Sequence, residues 1–266
     1  MPGMAPLGVS PWSWLPVVPL LVVAAGYLIG VRRLVRRGDR WPPARSVSAA
    51  AGLVALAAAL LPPVSTHADV FTVHVVGHLL LAMLAPLLLA LSAPITLVLR
   101  IVSVPVRRQV LAVVHSRAGR VLTWAPLVLA LEVGGMYAFY LTPLFSLAHE
   151  HEWLYVVVHV HMFLAGWLFS TVVAGRDPLP HRPGLVGALG LVLFAGAAHG
   201  VLAKLMYAHD LPAVAGSPAQ VQLGAQVMFS GGDLVELATA AAVMTAWYAR
   251  EGRAQRRAAA RAQVLA

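Results

Sequence analysis

The sequence predicts an all-α polytopic membrane protein, a bundle of seven transmembrane helices with its N-terminus outside and its C-terminus in the cytoplasm. Three observations predict it. First, of 266 residues 60% are hydrophobic and only 11% are charged, and mean hydropathy is +0.80, whereas a soluble domain carries about 25% charge. Second, the apolar residues fall in seven blocks of a length that crosses the hydrocarbon core, which takes about 20 residues. Third, the basic residues sit on alternate connections. Segments in lipid must satisfy their own backbone groups, so helices are expected, and the alternation of an outer-membrane barrel is absent.

The blocks run over residues 12–32, 46–64, 70–99, 121–142, 151–174, 185–209 and 219–249. The first lacks a basic region before it and carries VRRLVRR after it, the reverse of a cleavable signal peptide. The second is short and Ala-rich, so it is expected near vertical or shielded by neighbours. The third is long, and Pro86 and Pro94 are expected to kink it or end it early. The connection 31–45 holds six Arg, 100–120 five, 175–184 two and the stretch from Arg250 five, eighteen of the nineteen basic residues. Segments 1–11, 65–69, 143–150 and 210–218 hold none. The positive-inside rule assigns the Arg-rich face to the cytoplasm. Trp12, Trp14, Tyr140, Trp153 and Tyr207 read as the outer aromatic belt, and Trp41, Trp124, Trp247 and Tyr248 as the inner one. Residues 1–250 read as one transmembrane domain and 251–266 as a basic cytoplasmic tail, frayed or disordered.

The formal net charge of +9 is therefore a topology signal that suits anionic lipid headgroups. It is not a nucleic-acid footprint, which would gather on one folded basic face. The absence of cysteine removes disulfides and thiolate metal sites.

Nine of the eleven histidines fall in the Arg-poor half: His67, His74, His78, His149, His151, His159, His161, His199 and His209. His67, His149 and His209 read as interfacial. His74 and His78, four apart, lie about 40° apart around a helix. His151, His159 and Met162 fall within about 80° of one another, His161 points nearly opposite His159, and His199 and Met206, seven apart, share a face. His and Met donors without Cys suit copper, Cu(I) above all. Zinc needs only the His, and "HVVGH" lacks the Glu of a zincin helix. Burying such groups in lipid is unfavourable without partners, so the expected metal ligands are His74, His78, His159, His151, Met162, His199 and Met206. Haem is the alternative cofactor, with two of His74, His78, His159 and His199 as axial ligands.

A second polar stripe, Gln222, Gln226, Asp233 and Glu236, runs down the last block. With Glu132 and Lys204 it makes a set of intramembrane charges that must face each other or water. It reads either as a Lys204–carboxylate pair that fixes packing or as a proton or cation path. Gly231 and Gly232 are expected at a close helix approach.

The chain resembles the CtaG-type, multi-span cytochrome c oxidase assembly factors of bacteria. The resemblance rests on "VHVVGHLLLAMLAPLLLALSAPITLVLR" at 73–100, on "HVHMFLAGWLFSTVVAGRDPLP" at 159–180, where His159 precedes Gly166 by seven, and on "QLGAQVMFSGGDLVE" at 222–236. The chain departs from the family pattern at Gln220 and Val221, where an Asp-Gln pair often opens the last span, and at Phe229, where Trp is usual. The residues show no nucleophile-base-orienter set, so no catalysis of the chain's own is expected. The resemblance implies a role in maturing a haem-copper oxidase by supporting copper delivery. It implies as partners the oxidase subunits and, on the periplasmic side, a copper chaperone. It carries over His74, His78 and His159 as family histidines in a protein of the bacterial plasma membrane.

Overall fold

The computed structural model describes residues 14–67 and 69–265, with side chains to Arg257. Trp12 lies outside the described residues. The helices are α1 (Val17–Arg36), α2 (Pro43–Leu60), α3 (Phe71–Ile101), α4 (Val104–Val114), α5 (Arg117–Leu122), α6 (Ala125–Leu141), α7 (Leu144–Glu150), α8 (Glu152–Val173), α9 (Leu185–His209) and α10 (Pro218–Leu265). Six are long and apolar enough to cross a membrane. The pair α6 and α7, bent by 77° at Thr142–Pro143, passes the same test when taken together. The seven blocks thus become six candidate spans and one bent pair, whose second arm α7 falls in the 143–150 stretch expected to be a connection.

α3 is not one regular helix. Its turns widen to π geometry over Leu79–Leu84, directly after His78. It then stops at Ala93, whose φ is 56°, and restarts at Pro94. Proline fixes φ and clashes with the preceding turn, which explains the break. Pro86 sits at the start of the segment that follows the π turns. α6 carries a second π stretch over Ala130–Gly134, which contains Glu132. Such widened turns are rare and gather at functional sites.

α3, α6, α8, α9 and α10 make the central bundle, with the antiparallel pair α9 and α10 packed along much of its length. α2 packs on α3 through Ala55, Leu56, Leu81 and Ala85. α1 touches mainly the end of α3, where Leu34, Trp41 and Leu97 meet. Its remaining faces, including Leu21, Val22 and Leu28, are exposed, as a lipid-facing helix requires. The bundle has two apolar layers. Phe71, Val75, Phe139, Leu202, Met206 and Met228 lie in the Arg-poor layer, and Leu87, Val128, Phe169, Val172, Val192 and Val243 in the Arg-rich one.

At the Arg-rich end the "GRDP" turn locks α8 to the restart of α3. The carboxylate of Asp177, 3% exposed, accepts from the backbone N–H of Ile95 (3.2 Å) and Thr96 (2.6 Å) and from Thr96 Oγ1 (2.7 Å). A carboxylate at a helix N-terminus satisfies orphan donors and meets the positive end of the helix dipole. Arg182 in turn donates to the carbonyls of Gly175 and Asp177.

The basic stretch after residue 250 is helical and continuous with α10 as far as Leu265. Two expectations are corrected. Tyr140 is 1% exposed and belongs to the core rather than to an interfacial belt, because the bend after α6 folds Phe145 over it. Trp41 is buried too, edge-on to Tyr27 with the Arg45 guanidinium 4.7 Å over its ring. Trp14, Trp124, Trp153, Tyr207 and Tyr248 are exposed, as membrane-interface aromatics are.

Candidate metal centre

The Arg-poor layer is built around His74. Its ring is enclosed by Phe71, stacked at 6.1 Å, by Phe139 at 5.7 Å and by Phe145 at 5.2 Å. Two further imidazoles approach it, His149 of α7 at 5.6 Å and His159 of α8 at 6.5 Å between ring centroids. His149 Nδ1 bonds the Phe145 carbonyl at 2.7 Å, and His159 Nδ1 bonds the Tyr155 carbonyl at 2.8 Å. A ring nitrogen that donates to a carbonyl leaves the lone pair on Nε2. Metal-ligating histidines are oriented in this way by their outer partners. His149 is exposed, His159 half-buried and His74 buried, so the three step inward from the surface.

One turn further along α3, His78 stands edge-on to Tyr140 at 5.6 Å and parallel to His199 of α9 at 6.4 Å. His199 Nδ1 lies 3.7 Å from Glu236 Oε1 of α10. The glycines explain how these side chains fit. A Cβ at Gly232 would collide with the His199 ring, one at Gly196 with the Glu236 carboxylate, and one at Gly135 with His161 Nε2.

These groups meet a cavity of about 50 Å³ inside the bundle. His78, Glu132, Met136, His161, His199 and Glu236 line it, and so does Met162. A cavity needs roughly 10–15 Å³ per water, so this one has room for several waters or for an ion. Toward the Arg-rich end the Leu87–Val243 layer lies beyond it.

Five buried polar atoms in this zone have no hydrogen-bond partner among the described residues: His74 Nε2, His78 Nδ1 and Nε2, Tyr140 Oη and His199 Nε2. Buried polar groups are satisfied as a rule, and each exception calls for a water or an ion. As they are held, no three His, Asp or Glu side chains among the described residues are placed to close on one ion.

The expected ligands thus divide. His74 and His159 meet at the mouth, His78 and His199 meet deeper, and Met162 lines the cavity. Met206 is fully buried in the Arg-poor layer. His151 is exposed at the start of α8 and outside both groups. The charged set divides as well. Glu132 and Glu236 face the cavity, whereas Lys204 lies over the Phe229 ring in a different groove, unpaired with any carboxylate in the two ion pairs found among the described residues. Asp233 is half-buried on α10, and Gln222 donates to Asp210 at 3.0 Å.

Residues 25–250 match the family described as cytochrome c oxidase caa3 assembly factor (Caa3_CtaG). The chain belongs to that family. It is 30% identical to an uncharacterized protein of Mycobacterium leprae and 31% identical to one of Mycobacterium tuberculosis, each over 88% of this chain and 38% of the relative. The chain therefore spans about two fifths of the length of the curated relatives it matches. No solved structure matches. The Caa3_CtaG assignment and the apolar helices make this a multi-pass bacterial membrane protein.

Two residues of the zone escape a reading of the sequence: His149, which reads as interfacial, and Tyr140, which reads as part of the aromatic belt. Only the density of His in "HEHEWLYVVVHVHMF" at 149–163 marks the first, and nothing marks Tyr140.

Proposed function

We propose that this Caa3_CtaG protein supports assembly of a haem-copper oxidase by holding copper at the histidine-lined mouth of its bundle, on the side that the positive-inside rule assigns to the exterior. The observation that carries the reading is the run of unsatisfied ring nitrogens from His74 through His78 to His199. Leaving each of them dry costs about 1–3 kcal/mol, and a soft cation removes that penalty. His149 and His159 offer Nε2 at the surface, His74 stands behind them, and His78 and His199 form a second pair beside the cavity, where Met136 and Met162 add thioethers. Imidazole with thioether and low coordination suits Cu(I). The apolar layer beyond the cavity favours return of the metal to the side it came from, which suits delivery to a partner in the same membrane. The partners in this reading are oxidase subunits and a periplasmic copper chaperone, and the protein binds and hands on without a reaction of its own.

Metal analysis of the purified chain, taken with its visible spectrum, tests this. About one copper per chain is expected from a single cluster of few ligands, with loss in the His74→Ala/His159→Ala double variant. Full loading of that variant rejects the site. A b-type band in the reduced-minus-oxidised spectrum replaces copper with haem.

A further inference from the structure

Lys204 is the basic residue that α9 carries away from the Arg-rich end, and the metal zone does not use it. It projects from α9 into a groove of about 300 Å³ between α9 and α10, which Tyr207, Gln226, Phe229 and Ser230 also line. Lys204, Tyr207, Gln226 and Ser230 are exposed, so the groove opens on the outside of the bundle. The small residues Ala203 and Ala225 form its floor.

The ammonium has little to balance it. Its Nζ lies 5.3 Å from the Phe229 centroid, an attraction that offsets only part of the desolvation of a charge in a membrane. Among the described residues no carboxylate lies within 4.0 Å of it: Glu236 turns to His199 inside the bundle, and Asp233 also acts on His199. Lys204 stands five residues before the end of α9 at His209, roughly 7–8 Å along the axis. The ammonium is held beside Phe229, which packs on Gly200 one turn further from that end, so a headgroup phosphate meets it by dipping into the groove, toward which the flexible lysine stem can rise. There the groove offers one cation, the Gln226 amide and the Tyr207 and Ser230 hydroxyls, a donor set for a phosphodiester anion. Leu223, Leu234 and Leu237 are exposed along α10 on either side and provide an apolar track for acyl chains.

We propose that the Lys204 groove is a binding site for the headgroup phosphate of an anionic glycerophospholipid from the Arg-poor, outer leaflet. The site is separate from the metal zone and does not depend on the copper reading.

The test is native mass spectrometry of the purified, delipidated chain titrated with phosphatidylglycerol, with phosphatidylcholine of the same acyl chains and with inorganic phosphate. Wild type should prefer phosphatidylglycerol, and Lys204→Met should weaken its tightest binding event by roughly fivefold, the effect of one basic residue near an anionic surface. Lys204→Arg should keep the preference. Lys204→Met controls for the eighteen Arg at the other end, which it leaves intact. Should it fail to fold, Gln226→Leu is the second variant, with a smaller loss expected. Equal phosphatidylglycerol binding by wild type and Lys204→Met overturns the proposal, as does equal binding of the two lipids by wild type. Displacement of the lipid by millimolar inorganic phosphate would assign the groove to a free ion and overturn it as well.

Discussion

The ring of Tyr140 stands edge-on to that of His78, with centroids 5.6 Å apart and planes at 87°, and neither the phenol oxygen nor either imidazole nitrogen has a hydrogen-bond partner among the described residues. The two residues come from α6 and α3 and meet at the centre of the Arg-poor layer. A buried hydroxyl without a partner lowers stability by about 1–3 kcal/mol. Tyr140→Phe should therefore raise the unfolding midpoint of the metal-free protein, read by thermal denaturation in detergent. A lowered midpoint would mean that the hydroxyl is already satisfied by water in the cavity. Under the copper reading the gain should shrink when metal is added, because the neighbouring nitrogens then have a ligand to share.

His199 owes its position to a missing side chain. A Cβ at Gly232 would meet the ring, and the ring cannot swing away without losing Glu236 on one side and His78 on the other. Gly232→Ala should destabilise by about 1–3 kcal/mol, the usual result of overpacking. It should also lower copper loading as far as His199→Ala does. A Gly232→Ala protein that unfolds early yet loads copper fully would separate packing from binding and remove His199 from the site.

Asp177 can be tested without reference to metal. Its carboxylate serves three donors at the restart of α3. Asp177→Ala leaves two backbone N–H groups unpaired, and hydrogen bonds to a charged group contribute about 1.5–3 kcal/mol each. A loss of about 3 kcal/mol or more is expected, with Asp177→Asn milder because its amide oxygen still accepts. The measurement is the same detergent melt, with proteolysis of the 92–103 segment as the local readout. Equal stability of Asp177→Ala and wild type would mean that this turn does not hold α3.

The parts of this architecture that local chemistry controls were legible in the sequence. His74 and His78 share a face because residues four apart do so on a helix, and that face is the buried one. Gly231 and Gly232 do mark a close approach, to Leu79 and to His199. What depended on tertiary geometry was not legible. His149 looked like an interfacial residue because it precedes the next apolar block. It reaches His74 only because α6 and α7 bend by 77°. Lys204 looked like a partner for the intramembrane acids because depth can be counted along a helix. Which way a side chain faces around the bundle is set by the packing of α9 on α10. Tyr140 fell at the right height for an interface and on the wrong side of its helix.

Two glycines of similar appearance should respond in opposite directions. Gly166 of α8 packs on the widened turns of α3. A Cβ there would meet the Ala82 carbonyl oxygen and stand 3.2 Å from Pro86 Cγ. The obstacle is backbone, which cannot rotate out of the way, so α8 and α3 would have to separate where the Ala82 and Ala165 side chains are 5% exposed. Gly166→Ala should destabilise by about 1–3 kcal/mol. Gly190 sits in regular turns of α9 with nothing within 4 Å of its Cβ position. Replacing it relieves the conformational cost of glycine in a helix interior, so Gly190→Ala should stabilise by up to about 1 kcal/mol. Melting both variants beside wild type decides the matter. A Gly166→Ala protein as stable as Gly190→Ala would show that α8 does not approach α3 this closely, and the seat of His159 beside His74 would then need a different packing.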